Sequence, residues 1–153
     1  MFLIDTDVLS ALRKPNRDPN LATWFQAQRT TDLYLSVVSV GEVERGIARQ
    51  RGRNPGFADA LARWLDRVLT LYAGHILPVE LAAARRWGRL SHALGHQGAD
   101  LLIAATALEH GLTVATRNVR DFRPTGVPVI NPFHPSPIPE AIPDPPDNPP
   151  GPP

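Results

Sequence analysis

The chain has 153 residues, 42 % hydrophobic and 20 % charged, with no cysteine, which fits one soluble domain with a real core and excludes disulfides, thiol nucleophiles and cysteine-based metal sites. The net charge of +1 hides an asymmetry: residues 132–153 hold Glu140, Asp144 and Asp147 and no Lys or Arg, which leaves +4 on residues 1–131. Nearly all cations are arginine, Lys14 being the lone lysine; arginine suits bidentate contact with phosphate, and a mildly basic body is compatible with nucleic acid. No apolar run reaches the roughly 18 residues of a membrane span, and the N-terminus has no charged region followed by an apolar stretch and a cleavage site. The expectation is a cytoplasmic protein without membrane contact.

Phe2-Leu3-Ile4 runs straight into Asp5-Thr6-Asp7, as expected of a strand buried on both faces of a parallel sheet. Asp5 falls at the carboxyl rim, where such sheets bind ligands, and reads equally as a helix cap. Val8 to Arg13 predicts a short helix stopped before Pro15. Leu21, Trp24, Phe25 and Gln28 share a helical face, with Asn20 as its cap. Leu33 to Val37 predicts a second strand, and Ser39 to about Arg51 a helix. Phe57 to Leu69 is strongly amphipathic. Ile76-Leu77 predicts a third strand, Leu81 to Leu94 a helix, and Asp100 to His110 another, stopped by Gly111. Leu112 to Ala115 and Val127 to Ile130 predict the last strands. Alternating strands and helices make this an α/β domain with a mainly parallel sheet. Past Asn131 the composition changes: 11 of the 17 prolines lie in Pro132 to Pro153. The expectation is a domain over 1–133 and an extended, proline-rich tail over 134–153.

The acids of the body fall in a pattern. Asp5 follows the first strand, Glu42 lies in the first turn of the helix after the second, Asp100 opens the helix after a Gly-rich loop, and Asp121 lies past the fourth strand. In a parallel sheet all four can converge on one edge. Converging carboxylates repel one another, and a hard divalent cation with oxygen ligands relieves this. Each acid has a second reading: Glu42 as the return half of a capping box begun by Ser39, Asp100 as a complement to its helix dipole, Asp121 as a turn acid. The five histidines show no paired ligand spacing.

Four segments together resemble the PIN domain, and within it the VapC-type toxins of bacterial toxin–antitoxin pairs, close to the FitB branch: Phe2 to Ser10, Ser36 to Glu42, Ala99 to Ala107, and Val114 to Phe122. The resemblance implies a three-layer α/β/α sandwich and a Mg²⁺- or Mn²⁺-dependent endoribonuclease that hydrolyses RNA phosphodiester bonds. Its catalytic and metal-binding acids carry over to Asp5, Glu42, Asp100 and Asp121. Asn118 occupies a position that is acidic in some relatives, which leaves the fourth ligand open between Asn118 and Asp121. Asp7 has a supporting or capping role, and Thr6 and Thr116 are hydroxyls that orient carboxylates or water. Arg13, Arg45, Arg49, Arg117 and Arg120 are the candidates for guiding the RNA backbone. The resemblance further implies a VapB-like antitoxin, a homodimer, and operator DNA reached only through the antitoxin. Two other readings stay open: a catalytically silent PIN-fold partner in an antitoxin–operator complex, and a haloacid-dehalogenase-like phosphatase with Asp5 as nucleophile. The second lacks the later lysine such an enzyme uses.

Overall fold

In a computed structural model of the chain, residues 1–135 are described; all but the first two residues of the expected tail lie outside them. The central strand is β1 (Phe2–Ile4), flanked by β2 (Leu33–Ser36) and β4 (Thr113–Ala115), with β3 (Ile76–Leu77) and β5 (Val129–Ile130) outermost, in the order β3-β2-β1-β4-β5. Every pairing is parallel.

Alternation along the strands divides the core into two layers. Ile4, Leu33, Leu35 and Ala115 face one side. There they meet α1 (Thr6–Arg13), α2 (Pro19–Gln26), α3 (Val37–Arg51) and α4 (Pro55–Leu71) through Val8, Leu21, Val43, Ile47 and Leu65. Leu3 and Val114 face the other side. There they pack on Ile103, Ala104 and Ala107 of α6 (Ala99–His110) and on Phe122 of α7 (Val119–Phe122). Helix α5 (Leu81–Leu94) packs beside α6. Helices therefore cover both faces of a parallel sheet, which is the three-layer α/β/α sandwich expected.

Register sets up the functional edge. Ile4 is level with both Leu35 and Ala115, so Asp5, Ser36 and Thr116 leave the sheet side by side at its carboxyl rim. β1 also lies at the switch in strand order, with β2 on one side and β4 on the other, where such sheets open a crevice.

The structure corrects three local readings. Helix α1 begins at Thr6, capped by Asp5. Helix α2 is capped by Asp18 with Pro19 in its first turn, and Asn20 Nδ2 instead donates to the Phe133 carbonyl at 2.9 Å. Helix α3 begins at Val37, capped by Ser36, whose hydroxyl accepts from Val38 N–H at 3.1 Å. Ser39 is thus inside the helix and fully buried, and the capping-box reading of Glu42 falls away.

Candidate active site

Asp5 lies at the carboxyl rim of the sheet and is tied there through both carboxylate oxygens. It caps α1 through Oδ1, which accepts from Thr6 N–H at 2.8 Å, while Oδ2 accepts from the Thr116 hydroxyl at 2.8 Å. Its backbone N–H continues the β1–β4 ladder to the Ala115 carbonyl at 3.0 Å. Only 5 % of the residue is exposed. That burial, followed by the Asp7 charge, pushes the Asp5 carboxyl from an ordinary value of 3.8 up to about 7, although the bonds from Thr116 and Thr6 favour the charged form.

Asp7 sits beside it in the first turn of α1. Its Oδ2 accepts from Arg117 N–H at 3.0 Å, and its Oδ1 is buried with no hydrogen-bond partner among the described residues. Burial raises its carboxyl as well, opposed by the Arg117 N–H. An unpartnered carboxylate oxygen in a buried position is costly unless something fills the gap.

Thr6 ties α1 to α3. Its hydroxyl is 2.6 Å from Glu42 Oε1 and 2.9 Å from the Ser39 hydroxyl. A hydroxyl has one proton and two lone pairs, so Thr6 donates to the carboxylate while Ser39 donates to Thr6. Thr116, also fully buried, plays the matching part on β4: it donates to Asp5 and accepts from Asn118 N–H at 2.9 Å.

Asp100 enters from the first turn of α6, half-buried. Burial first, then the charges of Glu42, Asp121 and Asp7, push its carboxyl up, and His96 offsets this in part. Asp5, Thr6, Asp7, Ser10, Glu42, Asp100 and Asn118 together line a cleft of about 310 Å³. Asp121 is not in that lining. It is exposed on α7, and its Oδ2 accepts from Asn118 Nδ2 at 2.7 Å, so Asn118 stands between Asp121 and the other acids.

The five arginines separate. Arg117 and Arg120, joined by Arg123, which the sequence reading passed over, line a second cleft of about 740 Å³ that shares Asn118 with the acid cleft. Arg13 lies on the opposite side. Its guanidinium carbon is 5.3 Å from the Phe57 ring centroid, in a groove that shares Thr6, Ser10 and Glu42 with the acids. Arg45 and Arg49 are exposed on α3 and line neither cleft. Ser39 and Ser10 were also missed as site residues. A serine three residues before Glu42 was visible, but it read as a cap. No lysine or arginine lines the acid cleft, and Lys14 is the C-cap of α1, so nothing there could steady a phosphoryl group on Asp5 as the phosphatase reading requires. No helix among the described residues is long and apolar enough to cross a membrane.

Comparison with known proteins agrees with this geometry. The PIN domain family profile matches residues 2–126. The chain is 36 % identical over 143 residues to VapC ribonuclease Y4jK of Sinorhizobium fredii, covering 89 % of this chain and 100 % of that one. It is 36 % identical over 140 residues to toxin FitB of Neisseria gonorrhoeae, covering 88 % of this chain and 99 % of that one. Among solved structures, FitAB bound to an IR36 DNA fragment superposes with a TM-score of 0.77 at 34 % identity, over 88 % of this chain and 96 % of the matched chain. Strand register, the acids at the rim and these likenesses lead to one conclusion: the chain belongs to the PIN-domain family and is closely similar to its VapC and FitB members.

Proposed function

We propose that the chain is a divalent-metal-dependent endoribonuclease acting as the toxin of a VapBC-type toxin–antitoxin pair in the cytoplasm. The observation that carries this reading is the convergence of carboxyl groups at one sheet edge: Asp5, Asp7 and Asp100 have carboxyls pushed upward, first by burial, and Glu42 lines the same cleft. The curated relatives named ribonuclease and toxin support the activity and the biological role.

The donor set fits a hard cation. Every polar side chain lining the cleft offers oxygen, none offers sulfur or imidazole, and Asp7 Oδ1 lacks a protein partner. As placed, no three His, Asp or Glu side chains among the described residues form a closed group around an ion. Mg²⁺ keeps several waters and needs few protein carboxylates; Mn²⁺ takes the same oxygen donors. In this reading Asp5, Asp100 and Glu42 hold the cation, and Asp121 contributes to the same field through Asn118. When bound, a divalent cation supplies charge neutralisation and lowers the pKa of water enough to provide a nucleophile near neutral pH.

The chain's own residues do the rest. Thr116 and the Thr6 N–H fix both oxygens of Asp5, so the carboxylate needs no rearrangement when charge develops. The Ser39–Thr6 pair holds Glu42 from the opposite wall. The Arg117 N–H fixes Asp7, and Asn118 N–H orients the Thr116 hydroxyl toward Asp5. The cleft contains no side-chain cation of its own, so the charge on a bound phosphate must be met by the metal inside and by arginines beyond the rim. The same reading includes a VapB-like antitoxin, a homodimer, and operator DNA reached only through the antitoxin. The likeness to the FitAB assembly bound to DNA supports the last.

The test is cleavage of RNA by purified chain free of any partner. Activity with Mg²⁺ or Mn²⁺, absent in excess chelator and absent in Asp5→Asn and Asp100→Asn variants of unchanged circular dichroism, is expected. Full cleavage in chelator or in both variants refutes the reading. RNA-end sequencing after induction identifies the target.

A further inference from the structure

Three arginines follow the acid site at a spacing of three: Arg117, Arg120 and Arg123. Arg120 and Arg123 lie on a helical path through α7 and the 3₁₀ turn Arg123–Thr125, where that spacing keeps side chains on one side, and Arg117 lies just before Asn118, the N-cap of α7. All three line the 740 Å³ cleft, together with Asn118, Asn131 and His134, and among the described residues no acid lines it. Among the described residues none of the three forms an ion pair. Arg117 is also braced, with its guanidinium carbon 3.8 Å from the Phe133 ring centroid and its backbone N–H on Asp7. The basic cleft is therefore held rigidly to the acid cleft, and Asn118 is the wall they share.

The geometry points to a directional substrate track: a single-stranded RNA whose scissile phosphate lies at the acids continues over Asn118 into the Arg117–Arg120–Arg123 cleft, which binds the next phosphates. The inference rests on the ribonuclease reading above and adds the path. Of the candidate arginines it selects those on the Asn118 side: Arg45 and Arg49 on α3 border neither cleft, and Arg13 lies in the groove on the Thr6 and Glu42 side. The chemistry fits RNA backbone in particular. Guanidinium groups meet phosphate bidentately, and binding should be salt-sensitive in proportion to the phosphates contacted. Asn118 and Asn131 add neutral hydrogen-bonding groups for ribose hydroxyls.

The experiment separates the path from the chemistry by measuring RNA binding without cleavage. In the full chain carrying Asp100→Asn, a labelled single-stranded RNA is titrated across a salt series. Adding Arg120→Ala and Arg123→Ala should weaken binding about tenfold or more at low salt. It should also flatten the slope of log affinity against log salt by about 0.7 per arginine. Lysine at both positions should restore most of the slope, because lysine keeps the charge. An Arg85→Ala control, on exposed α5, should change neither. In the chain with Asp100 intact, the double alanine variant should raise KM for RNA more than it lowers kcat.

Unchanged affinity and slope in the double variant overturn the track. So does an equal loss in Arg45→Ala with Arg49→Ala, or intact RNA binding together with weakened binding of the antitoxin, which would make the cleft a protein-docking surface. If the chain with Asp100 intact cleaves no RNA but the slopes change as stated, the track stands and the nuclease reading fails.

Discussion

The Thr116 hydroxyl donates to Asp5 Oδ2 at 2.8 Å, joining the ends of β4 and β1 across 111 positions of sequence. Neither residue has access to much water, and each completes the other's hydrogen bonding. The pair converts strand register into carboxylate orientation. Ile4 level with Ala115 places Asp5 beside Thr116, and the hydroxyl then fixes which way the carboxylate faces.

Thr116→Val tests this directly, since it keeps the shape and removes the hydroxyl. The Asn118 N–H and Asp5 Oδ2 both lose a partner, and one unsatisfied buried polar group costs about 1–3 kcal/mol. Chemical denaturation should show a loss of that size, with RNA cleavage reduced and Mg²⁺ dependence shifted to higher concentration. Thr116→Ser should recover most of both. Wild-type stability in the valine variant would show that the bond contributes nothing.

The metal-free protein should lose stability as pH rises. Asp5 titrates at about 7 when folded, against an ordinary value of 3.8, so between those values the folded chain holds a proton that the unfolded chain releases. Stability from this group is complete below about pH 4 and is lost as pH passes through about 7. Asp7 and Asp100 move in the same direction. With chelator present, the melting temperature should fall between pH 5 and pH 8 more steeply in the wild type than in Asp5→Asn. The corresponding difference in unfolding free energy should be on the order of a few kcal/mol. Parallel pH profiles for the two proteins would contradict the assignment, and Mg²⁺ should narrow the gap at pH 8.

How much of this could be read beforehand depended on the kind of information involved. The apolar runs ending in Asp5 and near Thr116, and the helices opened by Asp100 and carrying Glu42, were visible because hydrophobic runs and caps are local signals. What lies between the acids was not. Ser36 and Ser39 are both sound caps, and only the strand register decides that Ser36 ends β2 and caps α3 while Ser39 goes inward to Thr6. Arg45 and Arg49 share a helical face with Glu42 by spacing, yet the basic cleft that adjoins the acids at Asn118 is lined from α7, the 3₁₀ turn Arg123–Thr125 and β5 rather than from α3. Strand order, a long-range property, makes that difference.

Ser39→Ala tests the part of the site least visible in sequence. The change removes a fully buried hydroxyl that supports Thr6, which in turn holds Glu42 at 2.6 Å. Loss of one internal hydrogen bond should cost about 1 kcal/mol of stability. The larger effect should be on cleavage, because Thr6 is then free to rotate away from Glu42. Cysteine at the same position, similar in size but a weak donor, should restore packing and not activity. Equal activity in all three proteins would make Ser39 merely a core residue.

The relation of Asp121 to Asn118 bears on how the fourth acid can act. Asp121 is exposed, lies outside the acid cleft, and is bound by Asn118 Nδ2 at 2.7 Å. Its charge reaches the cleft as one of the causes that raise the Asp100 carboxyl, and its carboxylate fixes the side chain that lines the wall. A group acting at one remove should matter less than one in direct contact, as supporting residues around metals typically cost about 10–100-fold when removed. Titrating Mg²⁺ against thermal stability resolves the order, because a ligand that binds only the folded chain raises the melting temperature with concentration. Asp5→Asn and Asp100→Asn should abolish the Mg²⁺-dependent rise. Asp121→Asn, which removes the charge, should keep it at higher Mg²⁺, and so should Asn118→Ala, which removes the Nδ2 donor that holds Asp121. If Asp121→Asn abolishes the rise while Asn118→Ala leaves it intact, Asp121 reaches the ion directly and Asn118 is only its neighbour.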